Sequence, residues 1–105
     1  SIVISPDVRL YSEVETNIFT FPFSQYQTLK SISIYLHTTT YNMLKLDIID
    51  LPDNDTLHSE TVTYEDTPDT IRLIKFENIP EISKDTLLLI KLQGEGQLLS
   101  MRIDL

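Results

Sequence analysis

Two stretches of strict alternation, on either side of a threonine-rich segment, limit what this chain can become. Ile32, Ile34 and Leu36 alternate with Ser31, Ser33, Tyr35 and His37. Leu44, Leu46 and Ile48 alternate with Lys45 and Asp47. A period of two puts one set of side chains on each face of a pleated strand. Each stretch therefore predicts a strand with one apolar face, and the rest of the chain repeats the theme.

Ile2–Ile4 and Val8–Tyr11 are short apolar pieces split by Ser5-Pro6-Asp7. Proline cannot donate to a central ladder, so a bend or an edge strand is expected there. Phe19, Phe21 and Phe23 fall two apart and share a face, with Pro22 closing the run. Leu51-Pro52-Asp53-Asn54-Asp55 and Glu65-Asp66-Thr67-Pro68-Asp69 read as turns. Between them Thr56–Tyr64 carries His58, Glu60, Val62 and Tyr64 on one face and is polar enough for an edge. Thr70–Phe76 is a strand, and Ile79 and Ile82 in the loop after it are expected to plug one end of the core. Thr86–Leu92 is almost continuously apolar, as a strand buried on both faces would be. Gln93-Gly94-Glu95-Gly96 is a turn, and Leu98–Leu105 closes the chain.

About eight or nine short strands, with turn signals roughly every ten residues, make the pattern of a sandwich or barrel. We expect an all-β antiparallel β-sandwich, jelly-roll-like, of about eight strands. The expected core is Phe19, Phe21, Ile32, Ile34, Leu36, Leu44, Leu46, Ile48, Ile74, Phe76, Leu88, Ile90, Leu99, Met101 and Ile103. At 105 residues this is one domain, large enough to hold a core without staples. It opens on Ser1 directly in strand-like sequence, so residues 1–105 are expected to be a single domain of a larger protein.

The chain has no cysteine, which excludes disulfides and leaves the compartment open. Its net charge is −8. A nucleic-acid binder needs a basic stripe to displace counterions from phosphates, and none exists. An anionic membrane surface is disfavoured for the same reason. No apolar run approaches the ~18 residues of a spanning helix, so direct membrane insertion is not expected.

Catalysis has little to stand on. There is no Gly-x-Ser-x-Gly elbow, and two glycines are few for an oxyanion loop or a phosphate cradle. His37 and His58 both read as outward, solvated strand residues without companion zinc ligands. The chain is therefore not expected to be an enzyme. Asp50, Asp53 and Asp55, with Asn54 and with Asp47 upstream, gather hard oxygens of the kind calcium takes. They are equally the residues that turns use to bond their own backbone. A sugar site needs exposed aromatics to stack on C–H surfaces and polar groups to pair hydroxyls. Tyr35 points away from the apolar face of its strand, and Tyr41 lies in the Thr38–Asn42 loop. If the two alternating stretches pair as a hairpin, Tyr35 and Asp47 share an outer face. Packing against a neighbouring strand is the other reading of Tyr35. Asn54-Asp55-Thr56 matches a glycosylation acceptor, a tripeptide common by chance.

An aromatic strand (Phe19-Thr20-Phe21) is succeeded by Leu29–Leu36, Leu44–Asp50, Ile74–Ile79 and Thr86–Leu92. In that order they resemble the jelly-roll, galactose-binding-like accessory domains attached to bacterial cell-envelope polysaccharide proteins and glycosyltransferases. The likeness covers about three quarters of the chain and lies in strand pattern. It implies a non-catalytic module that contacts glycan or positions a neighbouring domain.

The expected function is thus a non-catalytic, carbohydrate-binding module of a larger envelope or secreted protein. Tyr35 or Tyr41 would stack on sugar, Asp47 would fix hydroxyls, and calcium at Asp50, Asp53 and Asp55 is the candidate cofactor. The alternative is a structural or protein-interaction domain for surface, tail or capsid assembly, docking through the Thr56–Tyr64 strand.

Overall fold

Antiparallel ladders join the chain from its ends inward. The computed structural model describes residues 1–38, 41–65 and 69–105. Nine strands are formed: β1 (Ile2–Ile4), β2 (Val8–Leu10), β3 (Thr16–Phe23), β4 (Ser31–Thr38), β5 (Met43–Asp50), β6 (Asp55–Thr63), β7 (Thr70–Phe76), β8 (Thr86–Gln93) and β9 (Gly96–Asp104). No helix forms among the described residues. β1 and β2 both pair with β9, β3 pairs with β8, β4 with β7 and β5 with β6. Cross pairs β4–β9 and β5–β8 complete two sheets, β1/β2-β9-β4-β7 and β3-β8-β5-β6. Nested hairpin pairs rolled into two facing sheets are the jelly roll, with β1 and β2 as halves of one strand broken at Pro6.

The two alternating stretches do not pair with each other. β4 is central in the first sheet and β5 central in the second. The hairpin that would have put Tyr35 beside Asp47 is absent for a local reason. The residues between them include no glycine or Asn-Gly step to make a tight primed turn. Both strands also carry a fully apolar inner face that gains most from neighbours on each side. Among the described strands, the only connection that joins ladder neighbours is β5 to β6, at Leu51–Asn54, where Asn54 takes φ 56° and donates its N–H to the Leu51 carbonyl. Residues 39, 40 and 66–68, parts of two expected loops, lie outside the described residues.

The core fills the space between the inner faces. Leu10, Ile32, Ile34, Leu36, Leu44, Leu46, Ile48, Phe76, Leu88, Ile90, Leu92, Leu98, Met101 and Ile103 are fully buried. Each such side chain contributes roughly 1.5–3 kcal/mol relative to exposure. Ile82 is buried and Ile79 packs against the cluster, closing one end as expected. Two core expectations need correction. Leu98, not Leu99, faces inward, because the β4–β9 ladder steps from Tyr35↔Ser100 to Leu36↔Leu98 and leaves Leu99 as the extra residue of a bulge. Phe19 is only partly buried, since β3 is an edge strand, and it stacks on Phe21 with centroids 5.9 Å apart.

Gly96 opens β9 with φ 141°, and a Cβ there would sit 2.4 Å from the His37 carbonyl oxygen. The chain passes from β8 to β9 at this point only because no side chain intervenes. Gly96→Ala should therefore cost about 2 kcal/mol or more, read as a lower urea midpoint at unchanged m-value. A midpoint equal to wild type would show that the crossing tolerates a side chain.

Candidate functional site

The outer face of the first sheet holds the exposed aromatic that the alternation predicts. Tyr35 lies at its middle, opposite Ser100 on β9 and Leu73 on β7, and is 45% exposed. Ser33 and His37 flank it on β4. Arg102 lies opposite Ser33 and Gln97 opposite His37. On β7 the same face shows Ile71, 62% exposed, and Leu73, 56% exposed. His37 Nε2 lies 2.8 Å from Asp69 Oδ1 at the rim.

This face runs into a hollow of about 470 Å³ lined by Ser1, Lys30, Ser31, Lys75, Glu77, Asp104 and Leu105. Lys75 is two residues from Leu73, so the hollow begins about 7 Å along the strand from the Tyr35 row. Asp104 anchors it. Its carboxylate accepts from Ser31 Oγ at 2.8 Å, Ser1 Oγ at 3.0 Å and Arg102 Nε at 3.1 Å. Those hydrogen bonds, Ser31 first, hold its pKa below the ordinary carboxylate value against the opposing effect of burial.

The other expected site residues lie elsewhere. Asp47 is on the outer face of the second sheet and is only 8% exposed, between Ser59 and Lys91. Lys45 Nζ is 3.7 Å from Asp47 and 3.8 Å from Glu15. Tyr41 is half-buried on the crossover from β4 to β5. The structure does not bring Tyr35, Tyr41 and Asp47 to one face, because the strands carrying Tyr35 and Asp47 belong to different sheets. His58 also departs from expectation. It lies opposite Ile48 on the inner face of β6, in unbroken alternation with Glu60 and Val62, where its side chain is 15% exposed and its Nε2 lies 2.9 Å from Glu60 Oε1.

Asp50, Asp53 and Asp55 do converge, with carboxylate oxygens within 4.8 Å of one another, close enough to hold a metal ion. The sequence showed this cluster but not its cation. Lys84, from the β7–β8 loop, donates to Asp50 and lies 3.7 Å from Asp53. Thr86 donates to Asp50 as well. Asp50 is 1% exposed, so its charge needs these partners. The Lys84 hydrogen bond, then that of Thr86, holds the Asp50 pKa low despite burial. The same contact with Asp50 raises Lys84. No protein-family model matches the chain, and no curated protein matches it.

A depressed carboxylate pKa stabilises the fold above the ordinary value of ~3.9 and loses that contribution as pH falls through the lower folded value. A raised lysine stabilises below the ordinary value of ~10.4 and fails as pH rises through the raised one. Wild type should hold its melting temperature from pH ~5 to ~9 and lose it in acid. Asp50→Asn should be less stable at pH 7 and show a shallower acid limb, with Asp104 supplying what slope remains. Calorimetry from pH 7 to 3 measures this, and parallel limbs would remove Asp50 from the account.

Proposed function

We propose that this domain is a non-catalytic binding module that takes carbohydrate on the outer face of the first sheet. The observation that carries the reading is Tyr35, an aromatic side chain left 45% exposed at the centre of a sheet face. Exposed aromatic area of this kind suits the apolar face of a hexose. Ser33, His37, Ser100 and Arg102 supply donors and acceptors around it, and the hollow at Lys75 and Asp104 starts about one sugar ring away. Asp47 and Tyr41 take no part. Such a module would serve a larger envelope or secreted protein, as in the domains it resembles.

Leu73 and Ile71 favour a second reading, in which the same face docks a protein. One pair of variants separates the two. Tyr35→Ala should lower affinity for a glycan-array hit about tenfold, the loss of roughly 1.4 kcal/mol, at unchanged melting temperature. Leu73→Ser should leave sugar binding intact. Equal affinity of Tyr35→Ala and wild type would overturn the carbohydrate site. A partner lost with Leu73→Ser, and no sugar bound by either protein, would establish the second reading.

Calcium at Asp50, Asp53 and Asp55 has to displace the Lys84 ammonium, a cation already supplied by the chain. Wild type should therefore show the same melting temperature in millimolar calcium and in chelator. Lys84→Gln leaves the carboxylates without their cation, and calcium should raise its melting temperature by several degrees. A calcium response in wild type would mean that the ion outcompetes the lysine.

A further inference from the structure

Charge is unevenly shared between the two sheets. The strands of the first sheet hold Arg9, Arg72, Lys75 and Arg102 against the single acid Asp104. The strands of the second hold Lys45 and Lys91 against Asp47, Asp50, Asp55 and Glu60. In a chain of net charge −8 the first sheet is thus locally basic. Arg72 lies opposite inward-facing Leu36 and packs over the Tyr64 ring at 4.9 Å. Lys75 lies between buried Ile74 and Phe76, and Arg102 between buried Met101 and Ile103. Both therefore point outward, onto the face that carries Tyr35. They stand apart and do not merge into the continuous stripe that a phosphate backbone needs.

These two cations frame one place. In the row of the ladder next to that of Tyr35, Arg102 on β9 and Lys75 on β7 lie on either side of Ser33 on β4. Two strand spacings, about 9.5 Å, separate them, and the row lies about 7 Å along the strands from the Tyr35 row. Ser33 is short, so the row has cationic walls and a hydroxyl floor. We propose that this row reads a carboxylate, and that the carbohydrate bound at Tyr35 is acidic, built from a uronic acid or another sugar that carries a carboxylate. The inference rests on the carbohydrate reading of this face and narrows it. Arg102 is held in a suitable pose. Its Nε donates to Asp104 Oδ1 at 3.1 Å, and its side chain is 60% exposed. A guanidinium fixed at Nε keeps its two Nη groups as an end-on fork, which takes a carboxylate through two parallel hydrogen bonds. Asp104 also accepts from Ser31 and Ser1, so it positions Arg102 without being free to bind a cation itself. Lys75 supplies the second charge. Its Nζ lies 3.5 Å from Glu77, and both side chains are at least half exposed. A pair so exposed is weak, and a ligand carboxylate can replace it. The hollow beyond is mixed in sign, with Lys30, Glu77 and Asp104 in its lining, so the selection of charge belongs to the Ser33 row.

Selectivity between two forms of one sugar tests this. Short oligosaccharides of glucuronic, galacturonic and mannuronic acid are each titrated against the whole chain by calorimetry, beside the same oligosaccharide with its carboxyls reduced to alcohols. At least one acidic form should bind about tenfold or more tighter than its reduced form. Arg102→Gln and Lys75→Gln should each cut that ratio by about threefold or more. Arg102→Lys, which keeps the charge and loses the fork, should recover only part of it. Tyr35→Ala should weaken both forms and leave the ratio near that of wild type. The ratio, unlike the affinity, is not moved by a general loosening of the face. Acidic and reduced forms bound alike, with Tyr35→Ala weakening both, would overturn the carboxylate site and leave the sugar site standing. A ratio unchanged in both Gln variants would overturn the assignment to this row. No binding of any form of any of the three sugars would remove the sugar site, and this inference with it.

Discussion

The first sheet depends on its last strand. β9 pairs with β1, β2 and β4, so the chain's two ends and its middle are held in one ladder. Ile2 lies opposite Ile103, and Ile103 in turn opposite Ile32. Asp104 repeats the arrangement in side chains, accepting from Ser1 and Ser31 together. None of these contacts can form until most of the chain has been gathered. The loop-closure entropy is met before the burial of Leu98, Met101 and Ile103 repays it. The nested β5–β6 hairpin, with the shortest closure, is the natural place for order to begin, and β9 the natural place for it to end.

What the sequence carried was the facing of side chains within a strand. Ile32, Ile34, Leu36, Leu44, Leu46 and Ile48 are buried because burial of one face dictates a period of two. What it did not carry was the assignment of strands to sheets. Two amphipathic strands in succession look the same whether they form a hairpin or cross between layers. Only the missing turn glycine hinted at the crossing, and that is why Tyr35 and Asp47 seemed to share a face. The misplacement of Leu99 has a second cause. A bulge inserts one residue, and one residue exchanges the inner and outer faces of the strand beyond it. Nothing in Leu99 announces an insertion, because the partner strand decides where the ladder steps.

The acidic turn shows a related limit. Asp50, Asp53 and Asp55 invite a cation by composition alone, and the cation is a lysine 34 residues from Asp50 in sequence. A buried carboxylate in a chain of net charge −8 cannot remain without a counter-charge. Lys84 supplies it, and in doing so ties the β7–β8 loop to the end of β5. The cluster is therefore part of what closes this end of the sandwich, beside the Ile79 and Ile82 plug.

The outer face of the first sheet carries no comparable structural duty. Tyr35, Leu73 and Ile71 could be serines without opening the core, because the inner positions of the same strands already fill it. Solvent-facing apolar area on a strand is a cost that folding does not require. Tyr35, Ile71 and Leu73 together on β4 and β7 are what the proposed carbohydrate face rests on. A single exposed tyrosine is a modest platform for one hexose, so the proposed sugar face needs the donors and acceptors of Ser33, His37, Ser100 and Arg102 around it.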